Sequence, residues 1–343
     1  MMYVERLAID DPEWVDLARS HPLATAFHHP AWARLLADCY GFRAFVVACT
    51  DDAGRIRAAF PAIEVDGPLR GPRWVSLPFT DHCPPLRREG VSADDLVDRL
   101  GRLPWGQALP GLEIRAPLPE RAWACQAVAG YRHTLALDGD ENAAFALFSR
   151  MHQRNVRRAE QSGLSVVRDD SVAGIARFYG LHLRTRRRLG APVQPRRFFD
   201  LLHNRFIQQG LGFLLLAYDD LVPVAGAVFL QWGQTLIYKY GASDPHYWHL
   251  RPNNLLLWAA IRWACRSGCH TLDLGRTDLD DRGLREFKRG WGAKEEVLAY
   301  SVFGDGRPGR SRERTRRLVG TVIRRAPLFV CRALGEWLYG QFA

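Results

Sequence analysis

One internal echo limits what this chain can fold into. Phe45 stands six residues before Asp51-Asp52, and Phe213 stands six residues before Asp219-Asp220, an offset of 168 residues in both cases. In each half a short apolar run (Phe45 to Cys49, Phe213 to Tyr218) enters a polar turn and is followed by a second apolar run (Ile56 to Ile63, Val224 to Trp232). Short apolar runs on either side of a turn read as paired strands. Their recurrence at one spacing predicts two related α/β halves. With 343 residues, 47% of them hydrophobic and 24% charged, each half has enough apolar side chains for its own core, and wholesale disorder is excluded.

Helix starts fill in the rest. Asp11-Pro12-Glu13-Trp14 and His29-Pro30-Ala31-Trp32 each place Pro at a first helical position, and Trp32, Leu35 and Leu36 share one face. The boundary between the halves falls at the turn-forming Leu137-Asp138-Gly139-Asp140, giving domains over 1–138 and 139–305 and a tail over 306–343. In the second half the pattern predicts a helix from Glu141 to Gln161 ended by Ser162-Gly163, a strand Leu164 to Arg168 and a helix Val172 to Leu189. After the hairpin it predicts a strand Thr235 to Tyr240, a helix Asn253 to Ser267 and a strand Thr271 to Leu274. The helix start Arg251-Pro252-Asn253-Asn254 sets free backbone N–H groups and Asn side chains where the helix dipole favours a phosphate or carboxylate.

The net charge of +10 is unevenly placed. Residues 1–149 carry a net −5, 150–200 a net +8, 201–305 are neutral and 306–343 carry +7. The +8 segment holds Arg154, Arg157 and Arg158 on one predicted helix, and Arg184, Arg186, Arg187 and Arg188 on the next, where at least two share a face. Only Lys239, Lys288 and Lys294 depart from an otherwise all-Arg set of basic residues. An ammonium kept at such a position suggests a task that a planar guanidinium does not serve. Cys265 and Cys269 lack the further ligands of a zinc site, so no metal is expected. Seven cysteines and an N-terminus with acidic residues where a signal peptide is basic fit a cytoplasmic chain.

Several runs together carry a family resemblance. Arg251 to Trp258, Ala264-Cys265-Arg266-Ser267-Gly268, Leu272-Asp273-Leu274-Gly275-Arg276 and Gly283 to Gly292 occur in one order, with Arg154-Asn155-Val156-Arg157-Arg158-Ala159-Glu160 upstream. Phe27-His28-His29-Pro30-Ala31-Trp32 and Leu77-Pro78-Phe79-Thr80-Asp81-His82 precede them. Over residues 25–303 this series is similar to the FemAB-like transferases of the GNAT (acyl-CoA N-acyltransferase) superfamily. The ending Arg325-Ala326-Pro327-Leu328-Phe329 resembles that of members associated with exosortase and exopolysaccharide loci.

The resemblance implies an α/β (α+β) fold of two tandem GNAT-like domains, each a mixed sheet flanked by helices, and transfer of an acyl or aminoacyl group to an amine. Founding members add amino acids from aminoacyl-tRNA to a peptidoglycan precursor. The family's Phe-Lys pair falls on Phe287 and Lys288, where the ammonium would hold a donor phosphate or stabilise an oxyanion. Arg154, Arg157, Arg186 and Arg187 would contact anionic donor or substrate, as would Arg251, Asn253 and Asn254. Asp81 and His82 belong to the N-terminal motifs. Tyr238 and Tyr240 lie on a cleft-lining strand, where alternation sends both to one side and Lys239 to the other. Asp273 and Asp278 are the candidate bases. The Arg/Gln-x-x-Gly-x-Gly/Ala signature of acetyl-CoA binding is missing before Asn253, as is the coiled-coil insertion of some tRNA-dependent members. The donor therefore stays open between acyl-CoA and aminoacyl-tRNA, with no separate cofactor required.

In the tail, Gly306 to Arg317 reads as a linker. Val322, Leu328, Phe329, Leu334 and Trp337 then alternate with Arg324, Arg325 and Arg332. Such a basic amphipathic segment suits an anionic membrane, each basic residue contributing on the order of 1 kcal/mol, and suits equally a helix packed on the body. The expected acceptor is a cell-envelope or exopolysaccharide precursor, small or lipid-linked, met at the inner face of the cytoplasmic membrane through residues 311–343. The alternative from another class is a non-catalytic protein of the same fold that binds an anionic glycan or tRNA.

Overall fold

The computed structural model describes residues 2–67, 71–104, 109–304 and 320–342, so the expected linker lies outside the described residues. The chain divides into two compact units, one of residues 2–132 and 296–304, the other of 133–295 and 320–342. The division falls at 132/133, six residues before the expected boundary at 138/139. Residues 296–303 return to the first unit because their strand bonds to a strand of that unit, at Ser301–Phe303 against Leu112–Ile114.

The first unit contains β1 (Tyr3–Ala8), α1 (Pro12–Ser20), α2 (Pro30–Tyr40), β2 (Arg43–Thr50), β3 (Ile56–Gly67), β4 (Gly71–Val75), β5 (Leu86–Arg87), α3 (Ala93–Leu100) and β6 (Gly111–Ile114), with the start of β7 (Ala124–Ala136) and most of β13 (Lys294–Phe303). Its strand order is β1-β2-β3-β4-β6-β13, with β5 on β3. The pairing is antiparallel except for β4 with β6, so the sheet is mixed. Both predicted helix starts form as read. Asp11 caps α1 by accepting from the N–H groups of Glu13 and Trp14, and His29 caps α2. Trp32, Leu35 and Leu36 are buried, and the Trp32 indole donates to Thr80 Oγ1 at 2.8 Å.

The second unit holds α4 (Glu141–Ala146), α5 (Arg150–Glu160), β8 (Ser165–Arg168), α6 (Val172–Leu189), α7 (Arg196–Leu202), β9 (Gly212–Asp219), β10 (Val222–Trp232), β11 (Thr235–Ser243), α8 (Pro252–Arg266), β12 (Thr271–Thr277) and α9 (Arg282–Arg289). Its order is β7-β12-β11-β10-β9-β8, with β11 and β12 parallel and β8 to β11 antiparallel. Both predicted hairpins, β2–β3 and β9–β10, are present. Ala225, Ala227 and Phe229 of β10 face a core shared with Leu256, Leu257 and Ile261 of α8. A Cβ on Gly226 would instead meet Phe178 of α6, so α6 and α8 cover opposite faces.

Two segments differ from expectation. The predicted helix over 141–161 is two helices, because Ser149 turns away to give its N–H to Gly290 O at 2.8 Å while its hydroxyl accepts from His152 N–H. That break seats Phe148 and His152 against the fully buried Trp291, at ring separations of 4.8 and 4.9 Å. The helix α7 and the π-turn His203–Ile207 after it carry no start signal, since Pro195 caps α7 without a side-chain acceptor.

In the tail, α10 (residues 320–325) and α11 (Leu328–Leu338) lay one face on the second unit. Ile323, Ala326 and Cys331 are buried with Leu183 of α6, and a Cβ at Gly335 would stand 2.2 Å from Val193 O, so glycine is required for the approach. The other face keeps Phe329 73% and Trp337 72% exposed. Among the described residues no helix is long and apolar enough to cross a membrane.

Candidate functional site

In the second unit two parallel strands pair over only part of their length. β11 stays paired with β10 as far as Ser243, but its ladder with β12 runs only over Thr235–Ile237 against Thr271–Asp273. Beyond that point Tyr238–Ser243 and Leu274–Thr277 run on without mutual ladder pairing. A β-bulge starts the separation. Tyr238 lies opposite Phe229 and Tyr240 opposite Val228, which leaves Lys239 as the extra residue.

The bulge corrects the expected alternation. Tyr238 turns to the α8 side and packs beside Phe229, whereas Tyr240 turns to the α6 side among His182, Phe198 and Phe199. Burial pushes the Tyr238 hydroxyl up to about 12, so it remains a phenol and a proton donor at neutral pH. Gly241 leaves room for it, since a Cβ there would lie 1.8 Å from the Tyr238 oxygen.

The free end of β11 is fixed to its neighbours. Thr185 Oγ1 on α6 donates to Ser243 O and accepts from Ser243 N–H, at 3.3 and 3.2 Å. The Ser243 hydroxyl accepts from Trp248 Nε1 and Asn253 Nδ2 at 2.9 and 3.1 Å. These bonds aim the N-terminus of α8 at the opening. Arg251 precedes it in the left-handed region (φ 62°), a conformation that costs a non-glycine residue of order 1 kcal/mol or more. Arg251 Nε and Asn254 Nδ2 are both buried here with no hydrogen-bond partner. Two unmatched donors beside the positive end of a helix dipole match an anionic acceptor in charge and in hydrogen-bonding character.

The free end of β12 is clamped from the other side. Asp273, 3% exposed, accepts the Gly275 N–H at 2.8 Å, and Gly275 adopts φ 71°, which bends the strand. Lys288 on α9 is also buried, and its ammonium donates to Gly275 O and Arg276 O, both at 2.9 Å. The sequence leads to a lysine acting directly on substrate; the structure places its charge against the strand end. Phe287 beside it lies tilted against the His152 ring at 5.4 Å. Asp278 pairs with Arg276 and is partly exposed. Asp273 thus stands at the fork of the strands, and Asp278 beyond it.

Near Lys288 runs a chain of charge that sequence reasoning missed, because its members are far apart in the chain. Arg285 grips Glu295 through two bonds of 3.0 and 2.7 Å, and Glu295 accepts from His133 at 3.0 Å. The Arg285 bonds hold the Glu295 carboxyl down at about 2, and burial lowers His133, which is neutral and donates from Nε2.

The arginines of the +8 segment are dispersed. Arg154, Arg157 and Arg158 lie on the exposed face of α5. Arg186 donates to Pro192 O, Arg187 lies near Cys331 of the tail, and Arg188 stacks over Trp248 in the turn before α8. Of these, Arg188 approaches the α8 entrance. Asp81 and His82 belong to the first unit, where Asp81 O accepts from Tyr300 and burial lowers His82 to about 3. Among the described residues no cluster of His, Cys, Asp and Glu could hold a metal ion.

The Glu295 linkage has a definite sign. A carboxyl held below its ordinary value of 4.5 contributes stability that is fully present above that value and is lost as pH falls toward about 2. Urea titrations between pH 7 and pH 3 should show the wild type losing on the order of 2 kcal/mol more than Glu295→Gln. Parallel curves for the two proteins would show that the linkage is absent.

The comparisons agree with this geometry. Residues 146–289 match the family model described as an acetyltransferase (GNAT) domain. No curated protein matches the chain in sequence. Among solved structures, FemX superposes with a TM-score of 0.68 at 16% identity, over 87% of this chain and 96% of that one. The L-PGS of Bacillus licheniformis gives 0.53 at 14% identity, over 93% and 99%. A tandem GNAT protein from the clavulanic acid biosynthesis pathway gives 0.53 at 12%, over 88% and 98%. The family match falls on the segment that carries the parted parallel strands and the helix that starts beside them, so residues 146–289 match a GNAT acetyltransferase domain, and the chain as a whole shares the fold of FemX and of the tandem GNAT protein.

Proposed function

We propose that the second unit transfers an acyl or aminoacyl group from a phosphate-bearing donor, acyl-CoA or aminoacyl-tRNA, to an amine of a cell-envelope or exopolysaccharide precursor. The observation that carries this reading is the pair of unmatched buried donors, Arg251 Nε and Asn254 Nδ2, at the α8 N-terminus beside the parted strands. They supply the contacts a donor phosphate needs, and the gap leads the reactive carbonyl between β11 and β12. The amine attacks that carbonyl, the C–N bond forms, the C–S or C–O bond breaks, and one amine proton leaves. In this reading Asp273, at the fork of the strands, takes up that proton, and Tyr238, held as a phenol, gives one to the departing sulfur or oxygen. Lys288 keeps the lip of β12 bent and its cation fixed.

Incubation with acyl-CoA or charged tRNA and cell-envelope extract, followed by mass spectrometry, should show a mass increment that names donor and acceptor together. Asn254→Ala should raise the donor KM about tenfold with a smaller change in kcat, the signature of a lost binding contact. An unchanged KM would remove α8 from the donor site.

The tail supports a location at an anionic membrane. Its inner face is occupied by α6, while Phe329, Trp337 and Val322 point outward beside the exposed Arg324, Arg325 and Arg332. Because a deletion would strip the cover from Leu183, point variants are the sound test. Phe329→Ser with Trp337→Ser should lower co-sedimentation with phosphatidylglycerol vesicles about tenfold or more. Sedimentation equal to wild type would place the outer face elsewhere.

A further inference from the structure

The geometry points to a second anion site, in the first unit, for a phosphate or diphosphate group. A cleft of about 730 Å³ lies there between the end of α1 and the β3–β5 pair. Arg57, Arg87 and Arg88 line it against one acidic residue, Glu89, with His21, Leu17 and Pro22. The charge map gave no hint of this site, since residues 1–149 carry a net −5.

Sheet register brings the three guanidinium groups together. Ala58 pairs with Arg87, and Arg88 N–H donates to Arg57 O at 2.9 Å, so residues thirty apart in sequence share one edge. Each guanidinium is then fixed by a backbone carbonyl. Arg57 donates to Glu89 O at 3.0 Å, Arg87 to Val91 O at 2.6 Å, and Arg88 Nε to Ile56 O at 3.0 Å. None of these carbonyls belongs to α1, so the arginines are not there to cap that helix.

Carbonyl bonds orient a guanidinium without neutralising it. Among the described residues Arg57 and Arg87 make no ion pair within 4.0 Å, Arg87 acting on the Asp95 carboxyl only at longer range, and Arg88 reaches Glu13 only at 4.0 Å with both side chains about a third exposed. His21 is committed as well: its Nδ1 accepts from Leu23 N–H, so its Nε2 donates to Arg87 O at 3.0 Å. The result is a concave surface on which three oriented cations outnumber the one lining carboxylate, Glu89, and keep N–H groups beyond those bonded to the carbonyls. Guanidinium forks of this kind match the paired oxygens of phosphate. An apolar floor from Leu17 and Pro22 leaves room for the group that bears it.

The site stands apart from the donor reading, and the test keeps the two separate by working in an Arg251→Gln background. Titration calorimetry of that protein with inorganic pyrophosphate at low ionic strength should show one bound equivalent. Adding Arg57→Glu should weaken binding tenfold or more, Arg57→Gln by less, and Arg102→Glu, an exposed charge reversal elsewhere in the first unit, not at all. Circular dichroism confirms folding, and Arg57→Gln decides the matter if the charge reversal does not fold. Competition by a soluble nucleoside diphosphate, against vesicles carrying a polyprenyl diphosphate, tells which molecule bears the group. Equal binding with and without the Arg57 substitution, or no binding once Arg251 is replaced, would overturn the site.

Discussion

The parting of β11 from β12 is the constraint on which the rest of the second unit depends. Two parallel strands that bond over three residue pairs and then part keep that shape only if both ends are held by other groups. The bulge at Lys239 starts the separation, the Thr185–Ser243 bonds hold one lip, and Lys288 holds the other through two carbonyls. The Phe148–His152–Trp291 cluster braces the segment just beyond Lys288. The divergence of the two strands is thus maintained by side chains from α6 and α9.

Much of the framework was legible because its signals are local. Asp11 and His29 before proline each act within a few residues, and those helices begin where the residues indicate. The duplicated hairpin was readable for the same reason. What escaped reading depends on partners far along the chain. Ser149 breaks a helix because Gly290 O takes its N–H, and no residue near Ser149 announces that bond. The bulge that sends Tyr238 and Tyr240 to opposite faces is a property of the β10–β11 register, which an alternation rule cannot contain.

Charge shows the same division between count and placement. The +8 segment drew attention as the source of anion contacts, yet Arg154 and Arg157 lie on an outer helix face and Arg186 ties down the α6–α7 connection. The unmatched cationic donor at the opening comes from Arg251, in a stretch with no net charge. Lys288 was singled out by its rarity, and its ammonium indeed does what a planar guanidinium would not readily do, reaching two carbonyls of one bend from a buried position. What the bonds show is a cation that holds the strand end.

Amide hydrogen exchange, followed peptide by peptide with and without saturating acyl-CoA and then aminoacyl-tRNA, tests the central claim most directly. The account predicts that the productive donor slows exchange in Tyr238–Ser243 and in the first turn of α8 from Asn253, while β8 and β9 keep their rates. A donor that supports transfer yet leaves those two segments unprotected would contradict it.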